Sequence, residues 1–261
     1  MKNRLYFGKR PLERGLRWFD YAIYFAERSG VKHKLVYSNI GTHNHFAVDN
    51  SQSIFNAHGQ VIVIASWETS LATLGVLNSS TACFWLKQNS HNKGSTVDTK
   101  GARQTTVAWE NFYEFTGTTL KDFPLPKALP LERARTLDAL AQELSAQQVA
   151  ALVEAQAPTA ELLVSAEAAQ ASLKRRMIAQ QEELDWEVYQ SYGLLDDALV
   201  YAGEPPEVAL GERAFEIVLA RAMSAGAEDT AWFERHGSTP ITEIPAHWPA
   251  DYRDLVQRRI D

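Results

Sequence analysis

KLVYSNIGTHNHFAVDNSQSIFNAHGQVIVIAS occupies residues 34–66, and its pattern decides what the first half of the chain can form. Three runs within it, KLVYSNI at 34–40, HFAVD at 45–49 and QVIVIAS at 60–66, are rich in Val, Ile, Phe and Tyr. They are broken by Gly41, Asn50 and the pair His58-Gly59. β-Branched and aromatic residues bounded by turn formers predict strands, hence a small sheet. Downstream, 69–77 and 80–88 place apolar side chains at helical spacing, and Asn78-Ser79-Ser80 between them can cap the second helix. A short helical hairpin packed on the sheet is expected. The stretch SHNKGSTVDTKGAR at 90–103 is polar, contains glycine and lacks apolar periodicity, which predicts an exposed loop before a further strand at 104–109.

Phe123-Pro124-Leu125-Pro126 marks a boundary, because two prolines in four residues enforce extended backbone and cannot continue a sheet interior. Beyond it the pattern becomes helical. Pro130 suits a first turn, Leu137, Leu140 and Leu144 recur on one face, and Ser145 with Gln148 has the spacing of a capping box for the next helix. Helix formers then run from about 160 to 192, up to Gly193, where a left-handed cap is easy. The fold class is therefore α/β: a small mixed sheet with short helices over 1–126, followed by a mainly α-helical region over 127–261.

With 261 residues and 45% hydrophobic content, the chain can bury a sizeable core. Its longest strand-like apolar run, VIVIA at 61–65, is far below the roughly 20 residues of a membrane span, and no secretory signal is legible at the start. The single cysteine, Cys83, excludes an internal disulfide framework and a multi-cysteine zinc site. A cytoplasmic protein with no membrane partner is the simplest expectation. The net charge of -6 is unevenly spread: residues 1–126 hold 14 Lys+Arg against 9 Asp+Glu, and 127–261 hold 12 against 23. Only the first part suits a polyanion.

The residues that carry chemistry narrow the function. Adenine methyl transfer needs a glycine-rich turn after a strand for S-adenosylmethionine, and a short Asn/Asp-Pro-Pro-aromatic loop for the flipped base. Neither is legible; Pro205-Pro206 lies between Glu204 and Glu207 and reads as a turn. No catalytic residue is assigned. His43 and His45, two apart, point to one side of an extended chain, and His91 could join them, but no Asp, Glu or Cys stands at diagnostic metal spacing, so no metal site is assigned either. Asn44, Asn78, Gln88, Asn89, Asn92, Arg103 and Gln104 carry forked polar groups that match base edges. Lys87, Lys93 and Lys100 carry compact charges suited to phosphate. The candidate DNA-binding set is His43, Asn44, His45, Asn78, Lys87, His91, Asn92, Lys93, Lys100 and Arg103. A histidine-metal nuclease and a protein-interaction scaffold built on the acidic helices are the rival functions.

Three runs in the first half, IGTHNHFAVD at 40–49, GVLNSSTACFWLKQNSHNKG at 75–94 and ENFYEFTGTTLKDFPLP at 110–126, resemble the target-recognition part of PglX-type adenine-specific DNA methyltransferases of bacteriophage-exclusion (BREX) defence systems. EELDWEVYQSYGLLDD at 182–197 and WFERHGSTPITEIPAHWPADYRDLVQRRI at 232–260 resemble the portion that follows. The resemblance implies a part in S-adenosylmethionine-dependent methylation of adenine N6 in double-stranded DNA. It also implies that the cofactor and Asn-Pro-Pro-Tyr motifs lie upstream of this region, in a catalytic domain fused or separate. The chain is expected to read DNA sequence for that domain and to hold no cofactor itself. Its end, at Arg258-Arg259-Ile260-Asp261, comes earlier than is usual in the family, as expected of a fragment.

Overall fold

The structure is a computed structural model that describes residues 5, 8–17, 19–21, 31, 33–51, 53–56, 58–94 and 111–261. The three expected strand runs form β1 (Lys34–Ser38), β3 (Phe46–Asp49) and β4 (Gly59–Val63), separated by the short β2 (Ile40–Gly41). β1 pairs with both neighbours, so the sheet order is β3-β1-β4. Leu35 faces Val48 and Ile62, and Tyr37 faces Phe46. Period-two alternation puts Leu35 and Tyr37 on the covered face, where they are 0% and 4% exposed. A second sheet has the order β2-β6-β5, with β5 at His91–Gly94 and β6 at Phe112–Glu114. All of these pairings are antiparallel, in place of the mixed sheet expected.

The helical hairpin is present as α1 (Trp67–Leu77) and α2 (Ser80–Asn89). Side-chain oxygens satisfy an orphan amide at each start: Ser66 accepts from Thr69 N–H, and Ser79 accepts from Ala82 N–H. Leu71, Leu74, Val76 and Leu77 of α1 join Leu35, Tyr37, Phe46, Leu86 and Phe115 in one core. Each such side chain contributes roughly 1.5–3 kcal/mol on burial.

After the short α3 (Gly117–Lys121), α4 (Leu131–Ala146) and α5 (Val149–Ala155) lead into α6 (Ala160–Ser191), a 32-residue helix. At 1.5 Å per residue it is about 48 Å long. It ends where expected. Gly193 has φ 67°, its N–H reaches Gln190 O, and Leu194 N–H reaches Tyr189 O, the two bonds of a Schellman cap. Leu140 is buried and the flanking Leu137 and Leu144 are half-buried, so the leucine stripe of α4 forms the seam with α6. α4 also packs on α1, and at the crossing a Cβ on Gly75 would stand 3.0 Å from Ala134 Cβ and 3.3 Å from Leu184 Cδ1. A second core gathers Ala179 of α6 and Val208 with Ile217 of α7 (Ala214–Ser224). To these it adds Trp248, and Tyr252, Leu255 and Val256 of α9 (Ala250–Ile260).

Two local expectations are corrected. Ser145 caps nothing, because α4 continues through Ala146; the N-cap of α5 is Gln148, which makes no side-chain cap bond. Residues 91–94 form an edge strand instead of loop, because β6 supplies backbone partners to a segment whose own side chains carry no strand signal. The strand expected at 104–109 lies outside the described residues.

Candidate nucleic-acid interface

Turn chemistry after β2 fixes the first group of candidates. Asn44, 9% exposed, donates its amide to Leu77 O and Ser79 O, tying the β2–β3 connection to the α1–α2 joint. Asn78 closes the same joint, accepting from Phe46 N–H and donating to Phe46 O, both at 2.9 Å. The forked amides of both residues are therefore spent inside the fold, which corrects their assignment as base readers. Replacing either would remove side-chain partners from backbone groups at this joint, Leu77 O for Asn44 and both Phe46 N–H and O for Asn78.

The neighbours of Asn44 are placed differently. His43 and His45 are exposed, with ring centroids 6.3 Å apart. Burial and the nearby Lys87, His45, Arg235 and His236 all hold the His43 imidazole below its usual range. Lys87, in the last turn of α2, stands 5.6 Å over the Tyr113 ring of β6. His91, Asn92 and Lys93 are exposed on the edge strand. Asn92 Oδ1 accepts from Gly94 N–H at the bulge between positions 92 and 94. Lys93 is paired with Glu114 at 2.7 Å, and that hydrogen bond holds the Glu114 carboxyl below its usual range. A phosphate must compete with Glu114 for this lysine. Lys100 and Arg103 lie outside the described residues. His43, His45 and Lys87 thus come together beside the edge that presents His91 and Asn92. Among the described residues no three His, Cys, Asp or Glu side chains converge as a metal site.

Sequence reading missed the group beneath this surface. Ser80 at the start of α2 donates its N–H to Asp185 Oδ1 at 2.7 Å, and its hydroxyl meets Tyr189 Oη at 2.7 Å. Asp185 and Tyr189 line a small cleft of about 80 Å³ with Gln181, Trp186, Arg213 and Phe215. The only sequence signal was a mixed aromatic and acidic stretch within a long helix, which is also what a solvated helix face looks like.

Desolvation pushes the Asp185 carboxyl from 3.8 up to about 6, against the hydrogen bonds from Ser80 and Gln181 that favour its charged form. A carboxyl that binds its proton more tightly folded than unfolded favours the folded state below the unfolded value. That contribution is lost as pH rises toward the folded one. Asp185→Asn keeps an acceptor for Ser80 N–H and removes the titration. We expect urea midpoints of the parent to fall relative to the variant between about pH 4 and pH 6. The difference should be on the order of 1–3 kcal/mol, and parallel pH profiles would refute this.

Residues 177–261 match a family described as a domain of unknown function (DUF7008). The chain is 49% identical over 236 residues to a protein of Streptomyces coelicolor named adenine-specific methyltransferase PglX, a match covering 87% of this chain and 20% of that protein. The chain thus spans about a fifth of the length of the curated relative it matches, and the resemblance drawn from its motifs holds as a resemblance to part of such a protein. No solved structure matches the chain.

Proposed function

We propose that this chain is the DNA-reading portion of an adenine-specific methyltransferase of a phage-defence system, with residues 1–126 as the recognition unit and the helical region supporting it. The observation that carries the reading is the 49% identity to part of PglX, an adenine-specific methyltransferase by name. The exposed His43, His45, His91 and Asn92, with the half-buried Lys87 beside them, support it. Phosphate contacts position a duplex and base-edge contacts specify it, so Lys87 and the histidines would hold backbone while Asn92 and Arg103 address bases.

S-Adenosylmethionine serves the parent enzyme, and the residues described here do not fit it. β4 enters α1 through Ile64-Ala65-Ser66 and β6 enters α3 through Phe115-Thr116, neither a glycine-rich turn that could hold a nucleotide cofactor. No chemical step is assigned to this chain; methyl transfer belongs to a catalytic domain, fused or separate. The chain's part is to fix the register of the duplex so that the correct adenine is presented.

Titration of labelled duplexes at several salt concentrations tests the reading. Lys87→Ala should weaken cognate and scrambled duplexes alike and lower the slope of log K against log salt by about 0.9. Salt-independent or absent duplex binding by the parent chain would favour an interaction scaffold instead.

A further inference from the structure

The register of α4 on α6 leaves one end of the long helix uncovered by α4. Arg133, near the start of α4, reaches Gln180 at 2.8 Å and Glu187 at 3.7 Å; Glu143 stands 3.9 Å from Arg176; and Gln147 O, just past the end of α4, accepts from Gln170 at 2.7 Å. The two helices are therefore antiparallel, and residues 160–169 of α6 run on beyond the end of α4. α5 follows α4 at once and returns to the start of α6 through 156–159. This end is built, not frayed: Thr159 accepts from Leu162 N–H, and Gln170 holds the α4–α5 joint. Neither hydrophobic core takes a side chain from residues 132–177. α5 and the first turns of α6 thus form the tip of an arm, with Leu163 about 30 Å along the helix from Leu184, where the arm meets α1 at Gly75.

What the tip exposes is apolar. Val149 and Val153, one turn apart on α5, are 55% and 46% exposed, and Leu163 and Val164 of α6 are 38% and 67% exposed. From 144 to 173 the chain carries the carboxylates of Glu154, Glu161 and Glu167 and no Lys, Arg or His. An outward helix face ordinarily carries charged residues, and aliphatic side chains gathered in their place mark an interaction surface. Charge decides between its occupants. An anionic lipid surface selects Lys and Arg around the apolar residues, the reverse of what stands here. A second copy would bring two sets of carboxylates together. A protein surface with an apolar centre and a basic rim satisfies both features, and four fifths of the PglX relative lie outside the stretch it shares with this chain. We propose that the α5–α6 tip docks on the catalytic part of the methyltransferase, against an apolar surface whose Lys or Arg side chains pair with Glu154, Glu161 and Glu167. The inference rests on the reading of the chain as a portion of such an enzyme and names the surface that joins the two parts. Through the α4–α6 seam and the close crossing of Ala134 with Gly75, the arm then fixes the recognition unit at a set distance from the catalytic domain.

Amide hydrogen exchange tests it, comparing the isolated full chain with a chimera of Streptomyces coelicolor PglX that carries this chain in place of its own matched stretch. Amides of 149–168 should exchange roughly tenfold or more slowly in the chimera than in the isolated chain. Val153→Lys with Val164→Lys sets two cations against a basic rim and should abolish that slowing and lower adenine methylation by the chimera. Because both side chains are exposed, the same pair should leave the urea midpoint of the isolated chain where it was. Glu154→Gln with Glu161→Gln should lose part of the slowing; full slowing in that variant would refute the basic rim. Intact PglX, measured over the stretch aligned with 149–168, gives the same comparison for a chimera that fails to fold. Equal exchange in the isolated chain and in the enzyme would overturn the proposal. Duplex binding by the isolated chain, titrated alongside, separates that failure from failure of the DNA reading: binding that persists leaves the reading standing, and a slowed tip in a chain that binds no duplex leaves the docking standing without it. Concentration-dependent dimerisation of the isolated chain that the lysine pair abolishes would assign the tip to a second copy and overturn the proposal as well.

Discussion

Arg259→Ala should destabilise the protein by about 3–5 kcal/mol, the range for removing one partner of a buried ion pair, although the residue stands third from the last position. Its guanidinium and the Glu183 carboxylate are both 0% exposed and meet at 2.7 Å. The same guanidinium donates to Leu199 O at 2.7 and 3.0 Å and lies 5.1 Å over the Trp186 ring. Glu183 also accepts from Tyr201 N–H at 2.7 Å. One side chain thus pins α9, the 199–201 connection and α6 together. Truncating it leaves a carboxylate in the interior with only an amide for company, and leaves Leu199 O without its donor. The pair is not optimal, because Glu183 Oε1 and Arg259 Nη1 find no partner of their own. A double replacement, Glu183→Gln with Arg259→Met, should therefore cost less than Arg259→Ala alone. Urea unfolding of the three variants measures both; a loss below about 1 kcal/mol for Arg259→Ala would mean water reaches the pair.

That ion pair was invisible in the sequence, and the reason is general. Glu183 sits in EELDWEVYQSYGLLDD beside Glu182 and Asp185, in a helix whose charges read as a solvated face. Burial there is decided by α7 and α9 arriving from 30 to 76 positions away, which no local pattern reports. The elements themselves were legible wherever physics is local. β-Branched runs gave β1, β3 and β4. Helical spacing located α1 and α2, the Asn78-Ser79-Ser80 cap marked the start of α2, and Gly193 marked the end of α6. Legibility failed at His91–Gly94, where the strand exists only through its partner β6. The candidate interface shows the same division. His43, His45 and Lys87 were singled out from residue type alone; the fold leaves the two histidines exposed and Lys87 half-buried. Asn44 and Asn78 were misread because an amide that could pair with a base edge pairs equally well with a peptide group, and only the folded chain says which.

Gly211→Ala should have the other large effect, about 2–5 kcal/mol, the sum of two separate penalties. Gly211 has φ +97°, where residues with a Cβ are strained, and an added Cβ would lie 2.5 Å from the Thr239 carbonyl oxygen, a backbone atom that cannot swing aside. Its N–H also donates to Glu216 at 2.8 Å, within the group of donors that binds this buried carboxylate. Burial alone would raise the Glu216 carboxyl, but Arg213, the Trp232 indole and Gly211 N–H together hold it below its usual range. Relief of the clash must move either the 211–213 turn, loosening that arrangement, or residues 238–239, which closely follow α8 (Trp232–His236). Gly226 separates the two penalties, because its φ of +69° is also left-handed while nothing lies within 4 Å of a built Cβ. Gly226→Ala should cost only the conformational part, roughly 1–2 kcal/mol. Equal losses in the two variants would show that the 211–239 contact yields freely. A loss at Gly211 well beyond that at Gly226 would show that Thr239 is held rigidly behind α8.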